Sequence, residues 1–261
     1  MDRKKLAWRV LQAVFVVAVL VYAGRLAYRH WQDVRALGST LDVAWTPIAM
    51  SMLLVLLSYA VLIHTWRTML AAWGEQLAAL PAARIWFVSN LGRYLPGKVW
   101  QIGAMGTMAH GQGIAPEAAV GSSLVIALVN VLVGFGIVIL TGPNAFGLVG
   151  VDPARTWIPL AAILVGILTL PWSLPPAVRQ IATWTKRDLR EARLPVKAVW
   201  TAAAGCAAAW LLYGLAFSLL SAGVLGSAAT GGALPYVAVF TLSYLAGFLA
   251  LFAPGGIGVR E

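Results

Sequence analysis

The chain has 261 residues, of which 61% are hydrophobic and only 11% charged, and it carries a formal net charge of +10. Its mean hydropathy of +0.83 sets it apart from a soluble domain, in which about a quarter of the residues are charged. The excess Lys and Arg residues sit beside apolar runs, so they read as cytoplasmic flanks facing anionic lipid rather than a nucleic-acid surface, and the length is that of one polytopic bundle.

A hydrocarbon core of about 30 Å needs about 20 helical residues. The first apolar run, 6–23, follows Asp2-Arg3-Lys4-Lys5. No small-x-small cleavage site precedes Arg25, so the run is expected to be an uncleaved first span with its N-terminus inside. Further spans are predicted over 47–70, 118–140, 157–174, 199–225 and 234–252. The segment 82–108 differs, being moderately apolar and broken by Pro96-Gly97. If it crossed the bilayer, the loop 179–197 would lie opposite the basic N-terminus, although it holds Arg179, Lys186, Arg187, Arg190, Arg193 and Lys197. The positive-inside rule therefore predicts a re-entrant pair of half-helices. On this topology the connections 25–46 and 141–156 face outward. Arg25, Arg29 and Arg35 run against that, partly offset by Asp33 and Asp42.

Turn chemistry marks the boundaries. Thr141-Gly142-Pro143-Asn144 and Val151-Asp152-Pro153 are expected turns in an outer loop. Leu174-Pro175-Pro176 is expected to stop the fourth span, and Pro235 suits the first turn of the last one. The expected fold class is all-α: a polytopic integral membrane helical bundle, one domain over 1–261, with a re-entrant broken-helix hairpin and a second broken helix at Pro254-Gly255.

Pro removes a backbone donor and Gly weakens a helix. In a bilayer the freed groups must be buried in protein or line a wet cavity, and transporters build substrate sites from such breaks. Asn90, Arg93, Lys98 and Gln101 surround the first break. Asn90 and Arg93 are one helical turn apart, as are Lys98 and Gln101. Two cations beside unpaired half-helix donors form a candidate phosphate cradle. The competing reading is that Arg93 and Lys98 snorkel to the interface and anchor the hairpin. At the second break, Gly255, Gly256 and Gly258 permit close backbone approach, and Arg260 and Glu261 follow at once. Charges there imply a wet cavity, a mutual pair or a chain that has surfaced.

The remaining reactive side chains carry less. Cys206 is alone and reads as a packed thiol. His64, near Arg67, reads as a hydrogen-bonded structural group, and Glu75 and Glu117 as isolated interfacial residues. The histidines lack metal-ligand spacing, and there is no Walker loop, zinc-protease helix or nucleophile elbow. No catalytic residue, metal site or cofactor is therefore assigned.

Together, Asn90 with Tyr94-Leu95-Pro96-Gly97-Lys98-Val99-Trp100-Gln101, and the later Ala253-Pro254-Gly255-Gly256-Ile257-Gly258-Val259-Arg260-Glu261, resemble the lysylphosphatidylglycerol synthase transmembrane (flippase-like) family over most of the chain. The resemblance implies an integral protein of a bacterial or archaeal inner membrane. The founding member's membrane domain moves an aminoacylated phosphatidylglycerol between leaflets, and other relatives are linked to glycolipid assembly. Members with synthase activity add a soluble aminoacyl-transferase domain not seen in these 261 residues, so lysyl transfer is not implied. Members usually continue past the Arg-Glu pair, so a truncation after Glu261 is expected.

The combined expectation is a plasma-membrane protein that binds and flips an anionic or glycosylated phospholipid. Arg93, Lys98 and Arg260 would meet phosphate, and Asn90, Gln101 and Glu261 would orient polar head-group atoms. Pro96, Gly97, Pro254, Gly255, Gly256 and Gly258 would open the backbone toward it. The alternative is the membrane component of a lipid-linked glycosyl or aminoacyl transfer system. Expected partners are a membrane phospholipid or glycolipid and a separate lipid-modifying transferase. Self-association stays open, and nucleic acid is not expected.

Overall fold

A computed structural model describes residues 21, 24, 25, 28, 43–94, 99–146, 157–185, 195–226 and 232–250. The expected first span, apart from Val21, lies outside them. Along 43–250 the helices are α1 (Trp45–Ala72), α2 (Ala79–Asn90), α3 (Val99–His110), α4 (Pro116–Phe146), α5 (Trp157–Thr185), α6 (Val196–Leu225) and α7 (Ala233–Leu249), and the described residues contain no strand. The all-α expectation therefore holds. Trp45–Ala72, Ala118–Gly142 within α4, and Val196–Leu225 are long and apolar enough to cross a membrane. The apolar stretches Trp157–Ser173 and Ala233–Leu249 are slightly shorter.

The most extensive helix contact is between α1 and α6, and its cause is residue size. Ser51, Ser58 and Thr65 recur every seven residues on α1, as do Ala202, Ala209, Ala216 and Gly223 on α6, and all are buried. Small residues at heptad spacing let two backbones approach closely. Ser51 Oγ donates to the Ala216 carbonyl at 2.7 Å. The Gly205 Cα faces the Thr65 side chain, and Gly223 faces Ile48 and the Ala44 carbonyl. The Ala44 N–H in turn donates to the Gly223 carbonyl at 2.9 Å. Residue numbers rise along α1 as they fall along α6, so the pair is antiparallel.

Aromatic contacts orient α7. Phe217 meets Tyr236 at 5.8 Å between ring centroids, Tyr213 stacks on Phe240 at 5.5 Å, and Trp210 meets Tyr244 at 5.2 Å. α7 is thus antiparallel to α6. Gly136 faces Ile163 and Gly166 faces Leu132, so α5 is antiparallel to α4. Trp66 Nε1 donates to Ser122 Oγ at 3.1 Å, and Trp210 Nε1 to the Asn130 carbonyl at 3.0 Å. The C-termini of α1, α5 and α7 and the N-termini of α4 and α6 therefore share one end of the bundle.

Two boundary expectations are corrected. Helix α5 runs through Pro175-Pro176 to Thr185, and α4 runs through Gly142-Pro143 to Phe146. The first extension also makes residues 179–185 of the expected basic loop helical. Proline's fixed φ is itself helical, and what it removes is one N–H and one ladder bond. Pro143 lies in the last turn of α4, where water or neighbouring groups can satisfy the carbonyl left over, whereas Pro175-Pro176 lie inside α5, which continues past them for nine residues. Pro235, by contrast, is the third residue of α7 after the Gly232 cap, where its missing N–H would be unpaired in any case.

Candidate functional site

The broken segment is built as two arms. α1 ends in a Schellman turn. Gly74, at φ +84°, lets its own N–H reach the Ala71 carbonyl at 3.0 Å and the Glu75 N–H reach Leu70 at 3.1 Å. α3 ends the same way. Gly113, at φ +80°, directs its N–H to His110 at 2.9 Å and that of Ile114 to Ala109 at 3.1 Å. A β-carbon is disfavoured at such φ, and glycine has none. The two turns are joined to each other, because the Ala115 N–H donates to Glu75 Oε1 at 3.2 Å. Arg67 Nε adds a bond to the Leu77 carbonyl at 2.8 Å. The arms thus leave and rejoin the bundle at the same end.

α2 climbs beside α1, with Trp86 near Trp66 at 6.2 Å and Phe87 near Tyr59 at 5.2 Å between centroids. α3 descends beside α4, with Gly106 against Val120 and Ser123 Oγ 3.2 Å from Met105 Sδ. Each arm has 12 residues, or about 18 Å at 1.5 Å per residue, too short to cross a core of about 30 Å.

The arms meet at the end of the first and the start of the second. Gln101 Nε2 donates to Asn90 Oδ1 at 2.7 Å. Gly92 packs so closely on the other arm that a β-carbon there would lie 2.7 Å from Gln101 N. Two of the sequence-predicted site residues, Asn90 and Gln101, are therefore brought together directly. Arg93 falls in a 3-10 turn, Leu91–Tyr94, that closes the first arm. Pro96, Gly97 and Lys98 lie outside the described residues, as do Pro254, Gly255, Gly256, Gly258, Arg260 and Glu261.

The second break is approached through α7, which ends at Leu249 on the end of the bundle where the hairpin enters. An aromatic chain links this helix to the first arm. Phe87 touches Tyr59, Tyr59 meets Tyr213 at 6.0 Å, Tyr213 stacks on Phe240, and Phe240 lies 6.5 Å from Tyr244. The ring faces carry one continuous apolar wall from α2 through α1 and α6 to α7.

Two readings of single residues change. Glu75 is not isolated, since its carboxylate ties the hairpin's return to its start. His64 is exposed and lines a cleft with Arg67, Thr68, Glu75 and Gln76. The signal that could have located the hairpin's ends was the placement of Gly74 and Gly113 just after apolar periodic runs, a helix C-terminus signature. Cys206 is fully buried and free, as a packed thiol would be.

A helical bundle with long apolar helices and a broken hairpin defines a polytopic membrane protein. The chain belongs to the family described as the lysylphosphatidylglycerol synthase TM region, whose family model matches residues 9–261. It is a membrane protein related to lipid modification. No match was found among curated proteins.

Proposed function

We propose that this protein binds an anionic or glycosylated phospholipid at its broken helices and moves it between leaflets of a prokaryotic plasma membrane. The observation that carries the reading is the Gln101–Asn90 bond at 2.7 Å, which holds two short arms together beside the Pro96-Gly97 break. Phe87, on the first arm, lies level with Tyr59, 13 residues before the last residue of α1, Ala72. The corresponding depth, about 20 Å from the hairpin's mouth, supports a re-entrant reading. Broken backbone at that depth calls for a polar ligand or a wet cavity. Arg93, Lys98 and Arg260 would meet phosphate, and Asn90, Gln101 and Glu261 would orient the head group.

The hairpin's mouth lies at the end where the basic stretch between α5 and α6 is anchored, so the positive-inside rule makes that end cytoplasmic. A cysteine placed by Thr185→Cys should then resist an impermeant maleimide in intact cells and react after permeabilisation. Labelling from outside would reverse the orientation.

Translocation is tested in proteoliposomes carrying a fluorescent anionic phospholipid, with dithionite quenching the outer leaflet. The wild-type chain should expose inner-leaflet lipid faster than protein-free vesicles. Gln101→Leu should slow this about tenfold, equivalent to about 1.4 kcal/mol, at unchanged folded yield. Lys98→Ala should slow an anionic lipid more than a zwitterionic one. A wild-type rate equal to that of empty vesicles would refute translocation.

A further inference from the structure

A second polar feature lies well away from the hairpin tip. The foot of α1 and the turn after it border an open cleft of about 510 Å³, whose polar lining is His64, Arg67, Thr68, Glu75 and Gln76. That volume falls within the roughly 300–1,000 Å³ of small-molecule sites. The lining combines both signs of charge. Arg67 spends Nε on the Leu77 carbonyl, which fixes the guanidinium in place and leaves its terminal nitrogens as donors. Glu75 spends Oε1 on the Ala115 N–H, leaving its other oxygen as an acceptor. Both charged groups are thus positioned by backbone bonds before any ligand arrives.

An apolar track leads into the cleft. Leu53, Leu57, Ala60 and His64 follow one another by steps of four, three and four, so they share one face of α1. All four are exposed, Leu53 at 64% and Leu57 at 49%. α1 is long and apolar enough to span a membrane, so the track runs along the direction of a lipid tail. It ends at an imidazole and a guanidinium, with a carboxylate just past the helix terminus.

We propose that this cleft binds the head group of an aminophospholipid from the leaflet at that end. The phosphate sits on Arg67 and His64, the ammonium on Glu75, and the acyl chain along Leu57 and Leu53. Three features select this occupant. The apolar track favours a lipid over a soluble anion. The paired opposite charges favour a zwitterion over phosphatidylglycerol. The position beside the Glu75–Ala115 bond makes the bound lipid a wedge against the hairpin's mouth, distinct from any ligand at its tip.

Native mass spectrometry of the full chain, titrated with phosphatidylethanolamine and with phosphatidylglycerol, tests this. The wild type should retain phosphatidylethanolamine about fivefold better, the scale of one modest ion pair. Glu75→Gln keeps an acceptor for the Ala115 N–H but removes the charge, and it should abolish that preference. His64→Glu, at an exposed position, should weaken both lipids by about fivefold through repulsion of phosphate. In a Gln101→Leu background, which weakens the hairpin-tip site, Glu75→Gln should still abolish the preference, which separates this site from the hairpin tip. The proposal is overturned if His64→Glu leaves both lipids bound as before, or if folded Glu75→Gln keeps the wild-type preference. It is equally overturned if inorganic phosphate displaces phosphatidylethanolamine, which would make the cleft a free-anion site.

Discussion

Between α1 and α6 the backbones meet over a long row of small side chains, whereas between α2 and α3 they meet at one polar pair and one glycine. The seam repeats its contact from Ala44–Gly223 through Ser51–Ala216 to Thr65–Gly205. Helices in lipid gain little from apolar burial against each other, so close van der Waals contact over many residues must hold them. The hairpin's arms meet each other only through Asn90, Gly92 and Gln101 among the described contacts. Trp86, Phe87, Met105 and Gly106 pack them on α1 and α4, and Glu75 and Arg67 tie their mouth. The seam is spread over many contacts and the junction between the two arms over few. Local opening is drawn from regions with few contacts, so the hairpin can part without the seam unfolding.

The sharpest way to break this contrast is at the scaffold. Gly214 faces Val237, and a β-carbon would lie 2.5 Å from the Val237 Cα, a backbone atom that cannot rotate away. Gly214→Val should cost about 3 kcal/mol, at the upper end of overpacking, and abolish a monodisperse thermal transition in detergent. If its melting temperature stays near wild type, α6 and α7 are not packed as described.

Gly92→Ala places the same strain on the hairpin, against the Gln101 backbone nitrogen at 2.7 Å. Its cost should be about 1–2 kcal/mol and local, since the arms can separate. Amide exchange in α3 should accelerate about tenfold while α1 and α6 stay protected. Global unfolding comparable with that of Gly214→Val would erase the distinction between the two regions.

The smallest effect is expected at the seam's own hydrogen bond. Ser51→Ala removes the Ser51–Ala216 bond and should cost about 0.6 kcal/mol, the average for interhelical bonds within membranes. Lipid translocation should be unchanged. A loss of activity at normal stability would mean that the seam moves during transport.

The spans were legible because a bilayer imposes a length and a polarity on any helix that crosses it, and α1, α4 and α6 satisfy both. The hairpin's position was legible from Pro96-Gly97, but the Asn90–Gln101 bond was not, because helical spacing coupled Asn90 with Arg93 and Lys98 with Gln101 and gave no contact between the arms. Prolines misled where they only remove one bond, at Pro143 and Pro175-Pro176. The 51/58/65 seam is present in the chain, but Ser and Thr leave almost no mark on hydropathy. What composition and local periodicity determined is therefore which segments are helical and apolar. Only tertiary structure decided which faces meet, that Glu75 bonds a backbone 40 residues away, and that His64 and Arg67 open onto one cleft. These depend on close approach and direction between distant segments, and no local pattern in the chain encodes either.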